Sequence, residues 1–291
     1  MREAWTVLDL LKWTASYFAG KGIENGRLDA ELLLAEILKL NRIGLYLNFD
    51  RPVNSDELAV FRALIERRAR REPIAYILGR CEFWSLTFKV GPEVLIPRGD
   101  TETLVEAALK VLPPGGTLLD VGVGSGAIAL AIAHDRPDVQ VEGIDLSPAA
   151  LALATENAQN LGLTARVTLR QGDLFTLDDS RQYDVIVSNP PYIAIGEKAT
   201  LMPEVRDFEP ALALFAGEDG LDCYRALIPA ARGALKSSGI LFVEVGAGQA
   251  EAVAELFAIA GYVEIFTNRD LAGIDRVVAG RKASGCISPN M

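Results

Sequence analysis

Asp120-Val121-Gly122-Val123-Gly124-Ser125-Gly126 is the stretch that decides the fold. Residues 117–121 are apolar enough for a buried strand and residues 127–135 carry a helical pattern, so three glycines at alternate positions fall where a strand turns into a helix. Glycine lets backbone approach a ligand closely, and the amides at a helix start point toward it. Outward from there, residues 139–144 read as a strand and 148–161 as a helix, with Ser147 as cap and Pro148 at its first position. Strands at 166–170 and 184–187 follow, then a helix at 222–235, a strand at 240–245, a helix at 249–260, and strands near 262–266 and 276–279. This alternation predicts an α/β fold with a parallel sheet covered on both faces.

The glycine stretch gains meaning from Asp145, which ends the next strand about 20 residues on, where a carboxylate can accept hydrogen bonds from both hydroxyls of a ribose. The spacing is G-x-G-x-G, with Ala127 where a dinucleotide fingerprint has its last glycine, so a nucleoside cofactor without a pyrophosphate is expected. Gly122, Val123, Gly124, Ser125 and Gly126 are its candidate contacts. Asp173 can accept from an adenine amino group with Leu174 over the ring, or it can cap a turn. Asp120 has a similar pair of readings: facing an ammonium group, or capping the loop.

A second constellation, Asn189-Pro190-Pro191-Tyr192, follows the apolar run Val185-Ile186-Val187. Two prolines fix the backbone and remove two amide donors, leaving carbonyls that only accept. With the Asn189 side-chain carbonyl and the flat Tyr192 ring, this turn can hold a planar NH2 group by both hydrogens and aim its nitrogen at an electrophile.

The region before the sheet is different. Apolar residues recur at three and four from Val7 through Ile37, broken at Asn25-Gly26, and again after Asn54-Ser55, which predicts a small helical domain ending at Pro73. Leu86, Phe88 and Val90 alternate with Thr87 and Lys89, as in a hairpin. The expected division is a helical domain at 1–72, a linker with the hairpin at 73–100, the α/β domain at 101–283 and a frayed tail at 284–291.

Charge is uneven. Through Arg80 the chain carries 13 basic and 11 acidic residues, net +2, against net −12 for the remainder. An acidic body of that size argues against gripping duplex nucleic acid. The cluster Arg67, Arg68, Arg70, Arg71 is either a solvated helix end or a dock for an anionic partner. Cys81, Cys223 and Cys286 have no metal-ligand spacing and read as reduced thiols. With His134 as the single histidine, at a helix end, neither a His-dependent triad nor a metal site is expected. No apolar run approaches the roughly 20 residues of a membrane span, and charges interrupt any leader-like start, so a cytoplasmic protein is expected.

The order of these motifs resembles class I S-adenosylmethionine-dependent methyltransferases that act on amide or exocyclic amino nitrogens. More narrowly, the chain resembles the peptide chain release factor glutamine N5-methyltransferases, the PrmC or HemK family. The similarity extends over Pro73-Ile74-Ala75-Tyr76-Ile77-Leu78-Gly79, Val94-Leu95-Ile96-Pro97-Arg98, Phe208-Glu209-Pro210, Gly217-Glu218-Asp219-Gly220-Leu221, Asp270-Leu271-Ala272-Gly273 and Asp275-Arg276. Gly99-Asp100 stands where the family usually shows Pro-Glu. The resemblance implies a Rossmann-like methyltransferase sheet, an all-α N-terminal domain joined by a hairpin linker, S-adenosylmethionine as cofactor and S-adenosylhomocysteine as product. It implies as substrate the glutamine of the Gly-Gly-Gln motif in class 1 release factors, with Asn189 and Pro190 accepting the two amide N–H bonds and Pro191 and Tyr192 completing the catalytic turn. Three alternatives share part of the pattern: an adenine N6-methyltransferase, a ribosomal protein glutamine methyltransferase and a non-catalytic nucleoside-binding adaptor.

Overall fold

The computed structural model describes residues 5–173, 176–178 and 180–284. They divide into two compact units, the first running to Gly79 and including Met202–Phe208, the second comprising the rest.

In the first unit, α1 (Val7–Gly20) starts at a capping box: the Thr6 hydroxyl accepts from Asp9 N, and Asp9 Oδ2 accepts from Thr6 N. After α2 (Gly26–Leu38) and a short α3 (Arg42–Leu47), α4 (Ser55–Ala69) repeats the device with Asn54 and Glu57, before α5 (Ile74–Leu78). The spacing of three and four puts Leu10, Leu11 and Phe18 of α1, Leu33 and Leu34 of α2, and Phe61 and Ile65 of α4 into one core. Each such side chain contributes about 1.5–3 kcal/mol when fully buried. A side chain at Gly26 would lie 2.8 Å from Phe18 Cβ, so glycine sets how closely α1 and α2 approach.

The arginine cluster is not a free basic patch. Arg68 is 7% exposed and donates to Asp29 at 2.7 Å and Glu204 at 2.9 Å, Arg71 donates to Glu204 at 2.7 Å, and Arg67 pairs with Glu72. Of the two readings open in the sequence, an anionic dock is the one this disfavours, since three of the four guanidinium groups are engaged within the unit.

The second unit opens with a hairpin, β1 (Arg80–Phe83) and β2 (Leu86–Lys89), turned by Trp84 and Ser85 at φ of 52° and 57°. It then runs α6 (Glu102–Val111), β3 (Thr117–Val121), α7 (Ala127–Asp135), β4 (Gln140–Asp145), α8 (Pro148–Asn160), β5 (Val167–Gln171) and β6 (Tyr183–Ser188). After α9 (Pro203–Phe208), which lies in the first unit, come α10 (Asp222–Ala234), β7 (Leu235–Glu244), α11 (Ala250–Ile259), β8 (Tyr262–Arg269) and β9 (Asp275–Lys282).

The seven-stranded sheet has the order β5-β4-β3-β6-β7-β9-β8. The expectation of a parallel sheet needs correction at one edge: β9 is antiparallel to both β7 and β8. A parallel pair needs a long crossover, and the five residues 270–274 between β8 and β9 allow only a turn. Alternation along the strands feeds two cores. Leu118, Val185, Val187, Ile240, Phe242 and Val277 face one side, with α6 and α7, while Leu119, Ile186, Leu241, Val243 and Val278 face the other, with α10 and α11. From β3 the order runs outward in both directions, and ligands bind at such a switch point, beyond the carboxyl ends of the strands. Among the described residues no helix is long and apolar enough to cross a membrane. The expected frayed tail falls, from residue 285 on, outside the described residues.

Candidate active site

A cavity of about 300 Å³ opens at that switch point, beyond β3, β4 and β6. Gly122, Val123, Gly124, Ser125, Asp145, Asp173, Asn189 and Pro191 all line it, so the two constellations of the sequence meet in one place. The glycine turn is held from behind: the Gly122 and Val123 amides donate to the Ile144 carbonyl at 2.9 Å. Gly122 and Gly124 have φ of 78° and 53°, and a side chain added at either would extend into open space on the cavity side. That space is the room a ligand needs. Gly126, at φ 86°, closes the turn where an added Cβ would fall 2.8 Å from Leu130 Cδ1, and does not line the cavity.

Asp145 ends β4 as the sequence suggests. Its Oδ2 accepts from Gly124 N at 2.8 Å and its Oδ1 from Ser147 N at 2.9 Å, which fixes the carboxylate while each oxygen retains a second lone pair. A carboxylate so oriented suits a ribose diol, and the glycine-lined wall beside it suits a nucleoside cofactor. Asp120 is different. It is fully buried, does not line the cavity, and caps α7 by accepting from Ala129 N at 3.0 Å. Its Oδ1 makes no hydrogen bond, and burial, with a smaller contribution from the Asp145 charge, pushes its carboxyl up to about 7. The capping role is the one the geometry supports. Asp173 lies at the cavity wall, whereas Leu174, expected over an adenine ring, is outside the described residues.

In the second constellation, Ser188 ends β6 by donating its hydroxyl to the Val121 carbonyl at 2.7 Å, and Asn189 then faces the cavity. Its Nδ2 donates to Thr101 Oγ1 at 3.2 Å, which leaves Oδ1 as its acceptor. Pro191 lines the cavity, but Pro190 and Tyr192 do not. Tyr192 instead anchors the turn. Its carbonyl accepts from Gln249 Nε2 at 2.9 Å and its hydroxyl lies 3.4 Å from Glu244 Oε1. Burial and the nearby Glu244 charge push the Tyr192 phenol up to about 12, so it stays protonated. The flat Tyr192 ring, expected to help hold a planar NH2 group, is not part of the cavity wall. Cys223 also lines the wall, with burial pushing its thiol up to about 11.

Three residues here are given no role by the sequence. Glu209, 6% exposed, accepts from Ile96 N at 3.2 Å and from Arg98, and so holds the segment whose Arg98 and Pro97 line the cavity. Thr101 carries the Asn189 amide. Glu244, 1% exposed, ends β7 beside it, and burial raises its carboxyl to about 7 against the pull of Thr101 and Arg276. The signal that could have found Glu244 is an acid directly after the apolar run Ile240-Leu241-Phe242-Val243.

Residues 9–79 match the PrmC N-terminal domain family and residues 99–205 the methyltransferase small domain family. A release factor glutamine methyltransferase of Geobacter sulfurreducens is 52% identical over 96% of this chain and 98% of its own length. One of Rhodopirellula baltica is 42% identical over 96% of this chain and 97% of its own. Among solved structures, a methyltransferase of Pyrococcus furiosus is similar over 75% of this chain and 98% of its own, with a TM-score of 0.53 and 17% identity, which speaks for the fold alone.

Proposed function

This chain belongs to the release factor glutamine methyltransferase family, and from that premise we propose that it methylates the side-chain amide nitrogen (N5) of the glutamine in the Gly-Gly-Gln motif of class 1 peptide chain release factors. S-adenosylmethionine, when bound, supplies an electrophilic methyl group on sulfur and leaves as S-adenosylhomocysteine. Gly122, Val123, Gly124 and Ser125 would hold it against the loop backbone, Asp145 would accept from its ribose hydroxyls, and Asp173 from its adenine amino group. The fold family and the glycine-lined wall support this assignment.

The observation that carries the reaction is Asn189, in the cavity wall shared with Asp145, with its NH2 engaged by Thr101 and Oδ1 left to accept. An amide nitrogen is a poor nucleophile because its lone pair is delocalised into the carbonyl. Asn189 Oδ1 would take one N–H of the substrate amide, and the carbonyl of Pro190, next in the chain to Asn189 though not itself in the cavity wall, would take the other, fixing the nitrogen in line with the methyl group. Positioning of this kind can supply on the order of 7–11 kcal/mol of a barrier. A strong base is not required, because the alkylated amide loses its proton to solvent after transfer. The helical first unit is assigned to docking the release factor, and the enzyme to the cytoplasm where that substrate works; no duplex nucleic acid enters the reaction.

The test is peptide mass spectrometry of a purified class 1 release factor incubated with this protein and S-adenosylmethionine. The expected result is one methyl group on the glutamine of the Gly-Gly-Gln peptide. An unmodified release factor, with cofactor binding measured in the same preparation, would refute the substrate.

A further inference from the structure

Resting on the reading of Asn189 as the acceptor for the substrate amide, we propose that Thr101 and Glu244 are positioning residues that lock the Asn189 side chain with NH2 turned inward and Oδ1 toward the substrate. An asparagine amide has nearly the same shape either way round, but only one way is productive. Flipped, it would present N–H donors to a substrate that is itself a donor, and the cavity would repel the group it must hold. Something has to fix the direction.

The fold supplies it by register. β6 and β7 are parallel, with Ser188 opposite Val243, so Asn189 and Glu244 are the next residues along the same sheet edge. Glu244 follows Ile240 and Phe242 on the side covered by α6, and Thr101 stands at the start of α6 with 4% exposure. Thr101 Oγ1 is 3.2 Å from Asn189 Nδ2, and the pull of the Thr101 hydroxyl on the Glu244 carboxyl, which works against its burial, makes that hydroxyl the donor nearest in role to this carboxyl. Glu244 Oε2 makes no hydrogen bond of ordinary geometry, and such contacts tighten in substrate complexes. A hydroxyl whose single proton goes to a carboxylate can only accept from its other neighbour. The neighbour must then be a donor, and the Asn189 amide is held the productive way round.

The remaining groups around Glu244 keep it an acceptor. Tyr192 donates from 3.4 Å, and the Arg276 guanidinium draws the carboxyl toward ionisation while Asp100 opposes it. Arg276 is itself held by Asp270 at 3.2 Å and by Asp100 at 3.0 Å, and Tyr224 donates to the Glu244 main-chain carbonyl at 2.8 Å. Asp270 and Arg276, to which residue types alone assign no task, thereby acquire one. A protonated Glu244 can donate to Thr101, which frees the hydroxyl to donate to Asn189 and stabilises the flipped amide. Turnover should therefore fall on the acid side, near the value of about 7 to which burial raises this carboxyl.

The experiment compares full-length wild type, Thr101→Val, Thr101→Ser, Glu244→Gln and Asn189→Ala on whole release factor with S-adenosylmethionine. Thr101→Val should lower kcat roughly 10–100-fold with KM and cofactor Kd within about twofold, and Thr101→Ser should recover most of it. Glu244→Gln, which does not titrate and can still accept from Thr101 through its Oε1, should lose the acid limb of the kcat profile. Wild-type kcat in Thr101→Val beside an inactive Asn189→Ala would overturn the positioning role and leave the reaction standing. Wild-type kcat in Asn189→Ala would overturn both. A loss that serine does not rescue would overturn the Thr101 part, and an acid limb that survives in Glu244→Gln would assign it elsewhere, Asp120 included, and overturn the part of Glu244.

Discussion

Glu31 in the helical unit and Glu244 in the sheet unit are each 1% exposed, yet their surroundings are opposite. Glu31 accepts from Arg27 at 3.0 Å, from Arg42 at 2.7 Å and from Tyr46 at 2.8 Å. Burial pushes its carboxyl up, but these donors together outweigh it and hold it below the usual range. Asp29 and Glu204 are likewise paired, through Arg68 and Arg71. Glu244 and Asp120 each have an oxygen without a hydrogen bond, and burial raises both to about 7. A saturated buried carboxylate joins helices; an unsaturated one sits below the cavity, where it can respond to what its neighbours do.

The sharpest way to break this contrast is to remove a cation from the saturated set. Arg68→Met would leave Asp29 and Glu204 buried with one partner fewer, and should destabilise the protein by about 3–5 kcal/mol in urea unfolding. A cost below about 1 kcal/mol would mean that the pairing does not hold the unit together. A smaller effect is expected from Gly220→Ala. The added carbon would collide with the Tyr192 carbonyl oxygen at a backbone φ of 77°, so the loss should be about 1–3 kcal/mol, accompanied by a fall in kcat as the Asn189 turn shifts. Unchanged kcat would show that the turn is not held from this side.

The smallest effect separates Glu31 from Glu244 by sign. Glu244 is raised in the folded protein, so between the usual carboxylate range and about 7 the unfolded chain ionises while the folded one does not, and stability is lost as pH rises. Glu244→Gln lacks this loss and should gain about 1–2 kcal/mol relative to wild type between pH 5 and pH 8. Glu31 is lowered, so its contribution is present above the carboxylate range and disappears as pH falls through it; Glu31→Gln should be most destabilising at neutral pH. Parallel pH trends in the two variants, read by thermal unfolding, would remove the distinction.

Much of the candidate site's lining is legible in the amino-acid sequence. The glycine turn, Asp145 and the Asn189 turn carry their chemistry locally, because each sits where a strand ends and backbone geometry follows from residue type. Helix α7 spans the expected residues, and β3 does too, since a continuous apolar run bounded by glycine leaves few choices. The antiparallel β9 is not legible, because strand direction depends on connection length and partner choice rather than on the strand's own residues. Helices α3, α5 and α9 are five or six residues long and carry less than two turns of periodicity. Helix α6 does carry a readable face in Leu104, Val105 and Ala108. Thr101 and Glu244 escape for another reason: they act through Asn189, and 88 residues separate Thr101 from Asn189 in the chain.

The most direct test of the account is the single-turnover rate of Asn189→Ala on whole release factor with saturating S-adenosylmethionine. A fall of at least about 100-fold, with cofactor affinity unchanged, is the predicted result. A rate equal to wild type would contradict it, and the Asn-Pro-Pro-Tyr turn would then be scaffolding for a reaction carried elsewhere in the cavity.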